Sequence, residues 1–235
     1  MNETKLPEWA KQIAVFDLET TGIDERDARI VTAYVGELDA RGEVLPSGQS
    51  WLANPVIDIP ESASSVHGIT TDFARENGAD AALVVQEIIE KLTELMSRGI
   101  LITAQNAAYD FTVLHYEAIR HGFTPLEPSL VLDPLVIDRK VDTYRKGKRN
   151  LTVLCELHSV TLSDAHEASA DAIAAGRVAQ AMAAKYFDDL PDTASEVHAS
   201  QIGWQEEQNK SFASWMQKNV DPDFKLIPGW PIKRY

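Results

Sequence analysis

Apolar residues occupy both parities of the run Ile13–Leu18, with Ile13 and Val15 on one side and Ala14, Phe16 and Leu18 on the other. A strand covered on both faces has this pattern. Thr20-Thr21-Gly22 breaks the run. IVTAYVGEL (30–38) reads as a second strand and EVLPSGQSWLANP (43–55) as a third, after a turn at Asp39–Gly42. Such short links predict antiparallel neighbours. NPVIDIPESASSVHGIT carries turn formers throughout and predicts no regular element. The period changes over 80–96, where Val84, Val85, Ile88, Leu92 and Leu95 recur at helical spacing before Gly99. ILITA (100–104) is a short strand, AAYDFTVLHYEAIRHG (107–122) a helix, and LVLD (130–133) a strand closed by Pro134. LTVLCELH and the alanine-rich EASADAIAAGRVAQAMAAKYF follow as helices. Strands first, then alternating helix and strand, predict an α/β fold: a mixed sheet of about five strands with helices on its faces.

The pattern changes again after Pro191, which divides the chain into a main domain over 1–188 and a helical, Trp-containing C-terminal extension over 189–235. Val197, Trp204, Phe212 and Trp215 fall on one narrow helical stripe, and PGWPIKRY closes the chain. Two readings of these aromatics are open. They cover a face of the main domain, or they form a surface for a substrate or partner.

Composition narrows the classes. Of 235 residues, 44% are hydrophobic and 25% charged, as in ordinary globular proteins. No run approaches the ~18 apolar residues of a membrane span, so no membrane partner is expected. MNETKLPEWAKQ lacks the basic start and apolar run of a signal peptide. The single cysteine, Cys155, has no internal partner, and its packed-looking helical neighbours suit a buried structural thiol. Both points suit a cytoplasmic setting. The net charge of −14 argues against broad, non-specific duplex binding. Basic residues are nevertheless concentrated in RKVDTYRKGKR (139–149), six against one acid. That run is either a solvated loop or, through Arg145, Lys146, Lys148 and Arg149, a contact for several phosphates.

In VFDLETTG (15–22), Asp17 and Glu19 are two apart and point the same way from a strand. They lie at the C-terminal end of a central strand, where sites in open α/β sheets gather. Two like charges there, with no adjacent Lys or Arg, need a cation or a proton, or else they cap a turn beside Thr20 and Thr21. Hard divalent cations such as Mg²⁺ take oxygen ligands. Asp110 falls in the opening turns of the next helix, where most acids only complement the helix dipole. In HEASADA (166–172), His166 and Asp171 are five apart, about 140° around a regular helix. They face one cleft if His166 lies in the approach loop and Asp171 on the helix. A histidine beside a metal cluster suits general-base chemistry.

DLETTG, QNAAYDFTVL and HEASADA, in this order and at these separations, resemble the three sequence blocks of the DEDDh (DnaQ-like) 3′–5′ exonucleases. That group has the ribonuclease H-like fold and includes the proofreading subunits of bacterial replicative polymerases. NPVIDIPESASSVHGITTD is similar to the family's usual link, and the likeness covers roughly residues 12–185. The resemblance implies that Asp17, Glu19, Asp110 and Asp171 hold two Mg²⁺ or Mn²⁺ ions and that His166 is the general base. It also implies in-line attack of water on the last phosphodiester, releasing nucleoside 5′-monophosphates from DNA or RNA with a free 3′ end, single-stranded or frayed. Thr20, Thr21, Gly22, Asn106 and Tyr109 would approach the terminal nucleotide, with Ile23 as a wedge against its base. A DNA polymerase is a candidate partner in replication or repair. The chain departs from the family at Gln105, where many members have histidine, and at Tyr109, where many have phenylalanine. Two alternatives stay open: a silent nucleic-acid- or polymerase-binding module, and a small-oligoribonucleotide exonuclease.

Overall fold

A computed structural model describes residues 5–163 and 166–235. The N-terminal segment is therefore seen only from Lys5 onward, and residues 1–4 lie outside the described ones.

Strand β1 (Ile13–Thr20) is central. It pairs antiparallel with β2 (Ile30–Leu38), which pairs antiparallel with β3 (Gln49–Asn54). On its other side β1 pairs parallel with β5 (Ile102–Thr103), which pairs parallel with β6 (Val131–Leu132). A two-residue strand β4 (Ala79–Asp80), parallel to β3, brings the sheet to six in the order β4-β3-β2-β1-β5-β6. The sixth strand escapes hydrophobic periodicity because both its residues are exposed. The third strand begins at Gln49 rather than Glu43, after Pro46-Ser47-Gly48; of the earlier residues only Val44 bridges Leu38.

Helices cover both faces, and β1 supplies a side chain to each. Ala14, Phe16 and Leu18 enter a core with α3 (Ala81–Ser97) and α4 (Ala108–Arg120). Ile13 and Val15 enter the opposite core with α7 (Ala168–Lys185). The alanines of α7 have a physical purpose in this packing. A Cβ on Gly176 would lie 2.4 Å from Val15 Cγ1 and 2.7 Å from Leu38 Cδ1, so the helix axis sits as close to the sheet as small residues allow.

The segment expected to be irregular forms two short helices, α1 (Glu61–His67) and α2 (Thr71–Asn77). Gly68, at φ 77°, ends the first, and the Thr70 hydroxyl caps the second by accepting from Phe73 N at 3.2 Å. Each buries one alanine, so capping rather than a periodic apolar face defines them.

The basic run also differs from a free loop. Arg139 and Lys140 end helix α5 (Pro134–Val141), whose Asp138 is buried. Arg145 and Arg149 both pair with Asp138, and Arg149 also donates to the carbonyls of Asp138, Asp142 and Arg145. The two arginines expected to contact phosphates are thus already held by a buried carboxylate, as a structural knot. Lys146 and Lys148 are exposed. Replacing Asp138 by alanine leaves two guanidinium groups facing a void, and the expected cost is about 3–5 kcal/mol. Urea unfolding measures it; a loss well under 1 kcal/mol would mean that the knot is solvated.

After α6 (Leu151–His158) and α7, the extension forms α8 (Ala194–Asn219), opened by a reciprocal Thr193–Glu196 capping box. Its buried Gln201 accepts from Asp133 N at 2.7 Å and donates to Val131 O at 2.9 Å, while His198 Nδ1 accepts from Val131 N at 3.1 Å. These contacts satisfy the outer edge of β6. Val197 and Trp230 are buried in the cores, and Trp204 packs on both. The tail then returns to α4, where Lys233 N donates to Thr112 Oγ1 at 2.9 Å.

Candidate active site

Strand β1 ends its apolar run with Asp17 and Glu19, which share the parity of Val15 and so leave the sheet on the side of α7. Asp171 lies in the first turn of that helix. Asp110 lies in the first turn of α4 and is buried there, its Oδ1 accepting from Leu18 N at 3.2 Å. His166 stands outside α7, in a left-handed conformation at φ 74°, and its backbone N donates to Asp171 Oδ2 at 3.3 Å. That turn resolves the 140° problem: the histidine approaches the aspartate from the preceding loop. Glu19, His166 and Asp171 each offer a ligand atom, all within 4.8 Å of one another.

The electrostatics of the four acids agree with this convergence. Burial first, then repulsion from Asp110, Glu19 and Asp171, pushes the Asp17 carboxyl well above the usual range. Burial pushes Asp110 up against two backbone hydrogen bonds that oppose it. Glu19 is raised to about 7 by burial and then by Asp171, and Asp171 is raised chiefly by burial. Among the described residues no lysine or arginine pairs with any of the four, and Asp171 Oδ1 is buried without a hydrogen-bond partner. An all-carboxylate set with an orphaned oxygen fits a hard divalent cation.

A test follows from the signs. A carboxyl whose folded pKa is raised binds a proton more tightly in the native state, so the metal-free protein loses stability as pH rises through the folded pKa. For Glu19 that window runs from the ordinary 4.5 up to about 7. In EDTA, thermal unfolding should therefore weaken between about pH 5 and about pH 8, on the order of 2 kcal/mol after solvent screening. Saturating Mg²⁺ should remove most of the slope. A flat EDTA profile would contradict the crowding of these acids.

The residues expected beside a terminal nucleotide divide in two. The Thr20 and Thr21 hydroxyls are committed internally: Thr20 Oγ1 donates to Gly22 O at 2.9 Å, and Thr21 Oγ1 accepts from Arg29 N at 2.9 Å. Tyr109 also serves the turn, its hydroxyl donating to Gly22 O at 2.6 Å and touching Thr20 Oγ1. Burial holds that phenol up at about 12, so it remains a donor. The departure from phenylalanine thus fastens the turn to α4. Gly22 faces open space and Ile23 is 93% exposed, so these two are the parts of the turn offered outward. Asn106, also left-handed at φ 62°, has an exposed side chain. Lys146 and Lys148 are exposed in the segment between α5 and α6.

Two supporting groups were not foreseen. Buried Asp133 accepts from Asn106 N and Ala107 N, both at 3.0 Å, and so holds the turn leading to Asp110. Glu25, buried two residues after Ile23, is held by Lys233 and by the Tyr235 hydroxyl from the far end of the chain. The LVLD-Pro spacing is a signal for Asp133 as a helix cap; nothing local marks Glu25.

Comparison with known proteins agrees with the geometry. Residues 14–179 match the model of the exonuclease family RNase_T. The DNA polymerase III subunit epsilon of Rickettsia felis is 29% identical over 151 residues, covering 62% of this chain and 62% of that protein. The chloroplastic/mitochondrial exonuclease DPD1 of Arabidopsis thaliana is 26% identical over 197 residues, covering 80% of this chain and 61% of that one. The structure of E. coli exonuclease I in complex with a dT13 oligonucleotide superposes with a TM-score of 0.59 at 20% identity, over 75% of this chain and 41% of the other. The chain thus spans about three fifths of these two relatives and two fifths of the solved enzyme. Among the described residues no helix is long and apolar enough to cross a membrane.

Proposed function

The chain belongs to the RNase_T exonuclease family, and from that premise we propose that it is a 3′–5′ exonuclease acting on a single-stranded or frayed end of DNA or RNA. The observation that carries the reading is the convergence of Asp17, Glu19, Asp110 and Asp171 without a basic partner, beside His166. The four acids would hold two Mg²⁺ or Mn²⁺ ions, with the ordinary role of such ions in charge stabilisation and water activation. His166 accepts a proton from the attacking water at its imidazole. The water oxygen bonds to the terminal phosphorus as the bond to the preceding 3′ oxygen breaks. The leaving oxygen takes a proton from solvent, and the products are a nucleoside 5′-monophosphate and a strand shorter by one. Gly22 and Ile23 meet the terminal base, and Tyr109 keeps their turn in place. Likeness to an epsilon subunit supports a polymerase as partner.

The direct test is a 5′-labelled single strand in Mg²⁺. It should shorten one nucleotide at a time and release 5′-monophosphates. An intact strand in both Mg²⁺ and Mn²⁺ would reject the proposal, and matched DNA and RNA strands would rank the substrates.

A further inference from the structure

A groove of about 1370 Å³ runs between the 139–149 segment and α8. It exceeds the ~300–1,000 Å³ of ordinary small-molecule pockets, which suits a larger ligand. Its lining includes Ala108, two residues before Asp110, and Lys233, which pairs with Glu25. The lining also carries Phe212 and Trp215, 50% and 55% exposed. Their rings stack at 6.4 Å with 18° between planes, and Phe224 braces Phe212 edge-on at 5.7 Å.

The charge of the groove is opposite to that of the molecule. The chain carries −14 overall, yet seven basic residues and one acid, Glu207, line this surface. Several of the seven are already engaged: Arg145 and Arg149 by Asp138, Lys140 by Glu207, and Lys233 by Glu25. Among the described residues, Arg139, Lys146 and Lys225 form no ion pair and remain to meet anions. Cations flanking a braced aromatic pair match a polymer with regular phosphates and flat bases, since base stacking on aromatics tolerates any sequence. An apolar protein partner would gain nothing from the unpaired cations.

We infer that this groove is a second nucleic-acid site, holding the single strand upstream of the 3′ end while its last nucleotide lies at the acids. The inference rests on the exonuclease reading for its direction, but strand binding does not require cleavage. One wall of the site, α8 and the tail, is built by the extension outside the residues 14–179 that match the family, and the 139–149 wall lies within them. It separates grip on the strand from chemistry at the end.

The test compares a trinucleotide with a 15-mer of thymidine, using the full chain and its F212A/W215A double variant. The 15-mer should lose at least roughly tenfold in KM, the effect of about one lost stacking contact, while kcat on the trinucleotide reports an intact fold. Fluorescence anisotropy of the labelled 15-mer in EDTA should weaken in parallel, so the groove is judged even if no cleavage is seen. Replacing Lys146 and Lys225 by alanine should lower the salt slope of binding by about 0.7 for each lost phosphate contact. Unchanged anisotropy in both variants would overturn the inference. So would a change in sedimentation from dimer to monomer with strand affinity intact, which would make the aromatics a contact between copies of the chain. Equal losses on trinucleotide and 15-mer would likewise reject a separate upstream site.

Discussion

Asp17→Asn should abolish strand shortening in Mg²⁺, by at least ~10³-fold in kcat, while making the metal-free protein more stable at neutral pH. The two effects share one cause. Asp17 faces Asp110, Glu19 and Asp171, and its carboxyl is pushed up by burial and by all three. Removing its charge relieves a repulsion that has no cation to balance it when divalent ions are withheld. The amide keeps the shape of the side chain, so packing in the adjacent core is unchanged. Thermal unfolding in EDTA at about pH 8 should show a higher midpoint for the variant than for the wild type. Added Mg²⁺ should then stabilise the wild type more than the variant. A variant that still shortens the strand would remove Asp17 from the machinery. Loss of stability in EDTA would instead show that the carboxylate makes a favourable contact that the repulsion argument omits.

His166→Ala should lower kcat by roughly 10²–10⁴-fold, the usual contribution of a positioned acid or base. KM and the Mg²⁺ concentration for half-activation should stay close to wild type. The geometry makes the alternative real, because Glu19, His166 and Asp171 place ligand atoms within 4.8 Å. A metal titration separates the two roles. If the half-activating Mn²⁺ concentration rises strongly in the variant, His166 is a ligand and not the base. The backbone offers a further control, since the bond from His166 N to Asp171 survives substitution. Placement of Asp171 is therefore retained, and a large kcat loss reports the imidazole itself.

Much of this was legible in the chain. The two-sided apolar run of β1 predicted a central strand, and the two cores take its alternate residues as the parity requires. Capping made α1 and α2, and exposed residues made β4, so neither left an apolar period to read. The pairing within the basic run was hidden for a different reason. Charge density along a sequence does not reveal a buried counter-charge, and Asp138 lies just upstream in a helix that Pro134 and Asp133 begin. The aromatic stripe of the extension divides in the structure. Val197 and Trp204 cover the main domain, whereas Phe212 and Trp215 project from it.

The sequence alone determined the chemical elements of the candidate site, because residue type and strand parity are local. A carboxylate pair at alternate positions must share a face, and a histidine five residues before an aspartate must leave the helix to meet it. Tertiary structure decided which charges are free. Burial and pairing depend on contacts between distant segments: Asp138 with Arg145 and Arg149, Lys233 with Glu25, Gln201 with Asp133. Those contacts turn two arginines into scaffold and fasten the C-terminal extension to Asp133 and Glu25. They also leave a basic, aromatic groove open on an acidic protein.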